Sequence, residues 1–258
     1  MLLAYDDHGP GPVVVLLHGF PLNRSLWEYQ VGSIGSRYRL ILPDLRGHGE
    51  SAAPEGTYTM DAMADDVLEL LDVLQLREPV VLGGLSMGGY VALSLIERFP
   101  ERFRGLILMS TRAEADSPEA RHAREDLVDE IEGTQDVRPV VDAMLPRLLS
   151  PTTRVQRPEV VARVRSMMEK TAPRGVIGAL RGMASRPDRT GVLAGINVPT
   201  LLLFGRDDPI TPPEVAQKFA AAIPRAQPEV IDGAGHLAPI ERPDDANRAI
   251  LAFLAELA

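Results

Sequence analysis

Apolar and polar positions follow two regimes along this chain. The first runs to about residue 111 and returns after about residue 190. In it, short apolar runs alternate with stretches of helical spacing. Val13 to Leu17 is a continuous apolar run, which predicts a strand buried on both faces. Tyr38 to Leu42, Val80-Val81-Leu82 and Gly105 to Met109 read as further strands, and residues 2–5 as a first one. Between them, residues 24–36 predict a short helix, and Met60 to Leu74 carries apolar residues at 63, 67, 70, 71 and 74, a helical spacing. Tyr90 to Phe99 is helical and is stopped by Pro100.

From about 112 to 190 the strand pattern disappears. Ser117-Pro118 predicts an N-cap followed by proline at the first helical position, and further helices are expected over 135–148, 158–171 and 173–184. The alternation then resumes with a strand over 198–204, a helix start at Thr211-Pro212-Pro213-Glu214 read as a capping box, a short strand over 228–232, and a helix from Pro243 to Leu257. Alternating strands and helices predict an α/β fold, a mostly parallel sheet flanked by helices. The expected organisation is a core of 1–111 and 191–258, with 112–190 inserted as a helical cap. Ligands of such sheets sit at the carboxyl ends of the strands, so the loops there are where chemistry is sought.

Composition narrows the functional classes. The chain has 258 residues, enough for one α/β domain with an insertion. Its 36 acidic against 27 basic side chains give a net charge of −9, which argues against a nucleic-acid partner. There is no cysteine, so disulfides, thiolate metal sites and cysteine nucleophiles are excluded together. No run of about eighteen apolar residues occurs and the start carries no basic n-region, so a cytoplasmic protein with no membrane contact is expected.

The stretch from Pro79 to Phe99 carries the strongest chemical signal. A strand empties into Gly84-Leu85-Ser86-Met87-Gly88, a G-x-S-x-G match, and a helix follows. A serine on so sharp a turn needs small neighbours, which Gly84 and Gly88 supply, while Gly89 lets the helix pack close to the sheet. The turn lifts the Ser86 hydroxyl to the top of the sheet, beside the amide donors of a helix N-terminus.

A serine hydroxyl needs a base within reach. Of the five histidines, His8 lies in an early turn and His122 in the insertion, while His18 and His48 precede the serine and read as hydrogen-bonding loop residues. His236 follows the last strand in a glycine-flanked loop and follows the serine in chain order, so it is the candidate base. Its acid partner is expected in the loop after the 198–204 strand, which offers Asp207 and Asp208; Asp208, three residues after the strand-ending glycine, is the choice. The loop after 105–109 presents Ser110-Thr111 and no acid. Oxyanion donors are expected from the backbone amides of Met87 and Phe20.

Together, His18-Gly19-Phe20-Pro21, the loop from Asp44 to Ser51, Gly84-Leu85-Ser86-Met87-Gly88-Gly89, Gly205-Arg206-Asp207-Asp208 and Gly235-His236 resemble the lid-bearing branch of the α/β-hydrolase superfamily, over nearly the whole chain. Within it, Gly-Leu-Ser-Met-Gly-Gly, Arg186-Pro187-Asp188, and His236-Leu237 followed by Glu241-Arg242-Pro243 are similar to 3-oxoadipate enol-lactonases, and also fit small carboxylesterases and cofactor-free perhydrolases. Carbon–carbon bond hydrolases of this superfamily usually carry Asn before the nucleophile, where Leu85 stands here, and Ser86 departs from the Asp nucleophile of haloalkane dehalogenases and epoxide hydrolases. The resemblance implies a serine hydrolase of a small ester or lactone, acting through an acyl-enzyme with no metal or organic cofactor. A ligand-binding receptor on the same fold is the alternative. Arginines cluster from Arg147 to Arg189, and they are expected either to face solvent or to receive a substrate carboxylate.

Overall fold

A computed structural model describes residues 1–257. Seven strands form one sheet: β1 (Tyr5–His8), β2 (Val13–Leu17), β3 (Arg39–Pro43), β4 (Val80–Leu85), β5 (Phe103–Met109), β6 (Thr200–Gly205) and β7 (Ala226–Ile231). Their order is β1-β3-β2-β4-β5-β6-β7, and every neighbouring pair is parallel except β1 with β3. This is the mostly parallel sheet that the alternation predicts. All of β4 is buried, as its apolar run requires, and β7 sits at an edge. The edge position is what tolerates Pro228 within β7, since proline lacks the amide an inner strand would use.

The first strand lies three residues beyond the expected 2–5. The Ala4 amide donates to Ser51 Oγ at 2.9 Å and its carbonyl accepts from Asp44 N at 2.8 Å. That short segment ties down the loop after β3, and pairing with β3 runs instead from Tyr5 opposite Pro43 to His8 opposite Leu40.

The core helices are α1 (Glu28–Ser33), entered and left through 3-10 turns, α2 (Met60–Val73) and α3 (Met87–Arg98). Five more, α4 (Pro118–Thr134), α5 (Arg138–Leu148), α6 (Pro151–Gln156), α7 (Pro158–Glu169) and α8 (Pro173–Ala184), all fall between β5 and β6. The chain closes with α9 (Pro213–Ala222), α10 (Ala238–Glu241) and α11 (Pro243–Glu256). The short α6 and α10 are absent from the expectation, because six and four residues are too few to display a period. Ser117 caps α4 by accepting from Ala120 N, as expected. Among the described residues, no helix is long and apolar enough to cross a membrane.

The helices between β5 and β6 lie against loops at the carboxyl ends of the strands. Thr171 Oγ1 donates to Pro21 O at 2.9 Å, the His236 amide donates to Leu148 O at 3.1 Å, and the Tyr58 amide donates to Gly178 O at 2.9 Å. The tightest approach is made by α8. A Cβ on Gly182 would lie 1.7 Å from the Tyr58 carbonyl oxygen, and one on Gly178 would meet the Tyr58 ring at 2.7 Å.

Two alanine substitutions separate close packing from helix propensity. Gly182→Ala is expected to lower stability by about 1–3 kcal/mol through overpacking. Gly133→Ala on α4, where a Cβ would meet nothing within 4 Å, is expected to raise it by about 0.4–1 kcal/mol. Urea unfolding midpoints of the two variants check the pair.

Candidate active site

Ser86 is where β4 ends and α3 begins, at φ 53° and ψ −112°, a backbone conformation rarely adopted by a non-glycine residue. A neighbouring strand, the first turn of α3 and the loop after β5 hold it there. The Ser86 amide donates to Met109 O at 2.9 Å, its carbonyl accepts from Gly89 N at 2.9 Å, and Thr111 Oγ1 donates to the same carbonyl at 2.8 Å. The flanking glycines have the cause the sequence suggested. A Cβ on Gly84 would sit 2.2 Å from Gly88 O, and one on Gly88 would sit 2.3 Å from Leu17 O. Ser86 is only partly buried.

His236 and Asp208 meet. His236 Nδ1 lies 2.8 Å from Asp208 Oδ2, both side chains buried, in the loops after β7 and β6. Asp208 Oδ1 accepts the amides of Ile210 at 2.8 Å and Thr211 at 3.0 Å, and Oδ2 also accepts the Thr211 hydroxyl. Burial alone would push this carboxyl up; the charge and hydrogen bond of His236, with the Thr211 donors, outweigh it and hold Asp208 below the ordinary carboxylate range. Asp207 is exposed and contributes only its amide, which donates to Ala234 O at 2.9 Å. Of the two neighbouring aspartates, the one selected from the sequence is therefore the one facing histidine. No hydrogen bond joins Ser86 to His236 among the described residues.

The Phe20 and Met87 amides start from adjacent segments, since a Cβ on Gly19 would come within 3.4 Å of Ser86 Cβ. Neither amide donates to a protein acceptor among the described residues. Two buried histidines brace the Phe20 loop. His18 Nδ1 bonds Gly19 O at 2.9 Å and its Nε2 accepts the Leu45 amide at 2.9 Å, which fixes a neutral ring protonated on Nδ1. The His48 ring lies 5.2 Å from that of His18 and 6.1 Å from that of Phe20. Burial pushes His18 down to about 4, and burial with the neighbouring His18 pushes His48 down to about 3. Both read from sequence as hydrogen-bonding loop residues, and both bond within these loops.

Three polar residues escaped the sequence reading. Thr111 supports the Ser86 turn. Thr211 was expected as a helix cap, but α9 begins two residues later and the hydroxyl donates to Asp208 instead. Glu241 is buried behind His236, accepting the amides of Gly235 at 2.9 Å and Ser150 at 2.7 Å. Glu241 stood in the sequence within the stretch quoted above for its resemblance, after His236-Leu237, with no role attached to it. The arginines of 147–189 are mostly tied to acids: Arg163 to Glu28, Arg165 to Asp142 and Glu169, Arg181 to Glu132, Arg186 to Asp116, and Arg189 to Asp61 and Glu97. Among the described residues no group of three or more His, Asp or Glu could hold a metal ion.

With fold and site in view, the chain is placed among known proteins. It belongs to the alpha/beta hydrolase fold family, which residues 12–243 match. It is 30% identical to 3-oxoadipate enol-lactonase 2 of Acinetobacter baylyi, over 94% of this chain and 88% of that protein. Its structure is similar to that of a thermophilic esterase from Thermogutta terrifontis, with a TM-score of 0.96 and 44% identity over 99% of this chain and 93% of the other. The enol-lactonase from Burkholderia xenovorans LB400 gives a TM-score of 0.90 and 30% identity over 98% and 96% of the two chains.

The buried histidines predict a pH dependence of stability. An unfolded chain protonates each imidazole near 6.5, whereas the folded chain does so only near 4 at His18 and near 3 at His48. Between those values the unfolded state binds more protons. The contribution is therefore complete above about pH 6.5 and is lost progressively as pH falls toward the folded values. At pH 5 the loss is expected to be up to about 2 kcal/mol for each ring. Urea unfolding at pH 7 and pH 5 measures it, and His48→Gln should cut the difference between the two pH values by about half.

Proposed function

We propose that this hydrolase-family protein cleaves a small ester or lactone through an acyl-enzyme, with carboxylesterase-like chemistry. Ser86 Oγ attacks the carbonyl carbon while His236 takes its proton on Nε2. Asp208 holds His236 Nδ1–H and stabilises the imidazolium. The oxyanion is received by the amides of Phe20 and Met87. Collapse of the tetrahedral intermediate expels the alkoxide, which takes from His236 the proton that Ser86 gave up. Water then attacks the acyl carbon with His236 again as base, and Ser86 leaves with that proton. The helices of 112–190 act as a cap that shapes the acyl pocket over a core of 1–111 and 191–258.

The observation that carries this reading is the 2.8 Å His236–Asp208 hydrogen bond, made by two buried side chains. It is supported by the positive φ of Ser86 and by the two unengaged amides beside it. The enol-lactonase relatives favour a second reading, a lactone that carries a carboxylate. Against it, Arg163, Arg165, Arg181, Arg186 and Arg189 already face acidic side chains. A neutral ester or lactone is therefore the preferred substrate class.

Hydrolysis of p-nitrophenyl esters of increasing chain length, with neutral and carboxylate-bearing lactones alongside, tests both readings. Steady turnover is expected, with the neutral substrates preferred at every ionic strength; a single slow burst would indicate a binding protein instead. Ser86→Ala should lose several orders of magnitude in kcat with the fold intact. Asp208→Asn should cost up to about ten-thousand-fold, and Asp207→Asn far less. The opposite ranking of the two aspartates would overturn the assignment of the acid.

A further inference from the structure

The His236 imidazole is held through Nδ1, but that bond does not fix where the residue's main chain lies. The backbone of the loop is held separately. Glu241 Oε1 accepts the Gly235 amide at 2.9 Å and the Leu237 amide at 3.3 Å, one on each side of His236. The amide between them, that of His236 itself, donates to Leu148 O at 3.1 Å. Three consecutive amides around the base are thus engaged, two by one carboxylate and one by the last residue of α5.

The other oxygen of the same carboxylate turns the opposite way. Glu241 Oε2 accepts the Ser150 amide at 2.7 Å, at the junction of α5 and α6. Ser150 Oγ in turn donates to Gly233 O at 3.1 Å, and Arg157 Nη1 at the start of α7 donates to Glu241 O at 2.8 Å. The fit is close: a Cβ on Gly235 would lie 2.5 Å from Ser150 N and 3.1 Å from Glu241 Oε1. Glu241 is 1% exposed, and its burial raises its carboxyl above the usual range while the Ser150 and Gly235 hydrogen bonds oppose that shift. The partners of this buried carboxyl are all donors, the amides of Gly235, Leu237 and Ser150 together with the Thr153 hydroxyl, so both oxygens are held as acceptors.

We infer that Glu241 is a positioning residue that sets the His236 loop against Ser86 and ties its placement to the α5–α6 segment of the helical insertion. This rests on His236 being the base. Asp208 orients the ring, and Glu241 places the backbone that carries it. Movement of the 148–150 segment is passed to the base through the two oxygens of one side chain. Displacement of a base by a fraction of an ångström costs rate rather than substrate affinity, so the signature lies in kcat.

The test compares Glu241→Gln and Glu241→Ala with the unaltered enzyme on one p-nitrophenyl ester, counting active molecules by fluorophosphonate titration and recording Tm. Glutamine keeps the shape and one acceptor oxygen, and its NH2 must face one of the two sets of amide donors. Glu241→Gln is therefore expected to lower kcat about tenfold, and Glu241→Ala about a hundredfold, each with KM changed less than about threefold. A purely structural role would lower Tm and leave kcat per titrated molecule unchanged. Either variant turning over at the unaltered kcat overturns the inference, and the isosteric Gln variant decides if the Ala variant does not fold. Ser86→Ala, run beside them, keeps the two readings apart. Activity surviving in it defeats the triad, whereas an inactive Ser86→Ala with fully active Glu241 variants defeats only the role given to Glu241.

Discussion

The backbone reversal at Ser86 is the constraint on which the rest of this structure depends. Holding a serine at φ 53° and ψ −112° costs about 1–3 kcal/mol, and an isolated strand–helix unit would relax it. It persists because three neighbours determine it from different directions: Met109 O on β5, the first turn of α3, and the hydroxyl of Thr111. Each is fixed by something larger. β5 is paired on both sides, to β4 and β6, and α3 packs on β2, β4 and β5. The strain is carried by the whole sheet, and the result is a hydroxyl presented at its carboxyl edge.

Burial of charge near that edge follows one rule. Each buried carboxylate is saturated with donors, because an unpaired ion in a low-dielectric interior is strongly unfavourable. Asp208 takes two amides, a hydroxyl and an imidazole. Asp44 takes the Arg24 and Glu50 amides together with the Arg24 guanidinium, and so shapes the loop after β3. Glu241 takes the amides of Gly235, Leu237 and Ser150. The buried imidazoles of His18 and His48 obey the converse rule and stay neutral, their protons directed at backbone carbonyls. The candidate site is thus framed by groups whose charge states are set by local donors and acceptors.

Much of this was legible along the chain. Val13–Leu17 reads as a doubly buried strand because a parallel sheet covers both of its faces, and apolar runs register that directly. Ser86, His236 and Asp208 each follow a strand, so position along the chain already places them at the carboxyl edge of the sheet. The glycines at 84 and 88 carried their own signature, since only the smallest residues fit between the crossing backbones of the turn.

The remainder depended on residues distant in sequence. That Asp208 rather than Asp207 turns inward is settled by the Thr211 amide and hydroxyl and by a histidine 28 residues away. Thr211, which by sequence looks like a helix cap, stands one residue before the cap position of α9, which Pro212 occupies, and its hydroxyl donates to Asp208. Thr111 and Glu241 are ordinary polar residues until the sheet and the insertion bring Ser86 and Ser150 to them, across 25 and 91 positions. By itself, then, the sequence determined the longer elements, their alternation and the residues at the strand ends, because these follow from local period and turn chemistry. Which polar groups hold those residues in place was decided only by tertiary structure, because a hydrogen-bond partner is chosen by proximity in space and leaves no periodic trace along the chain.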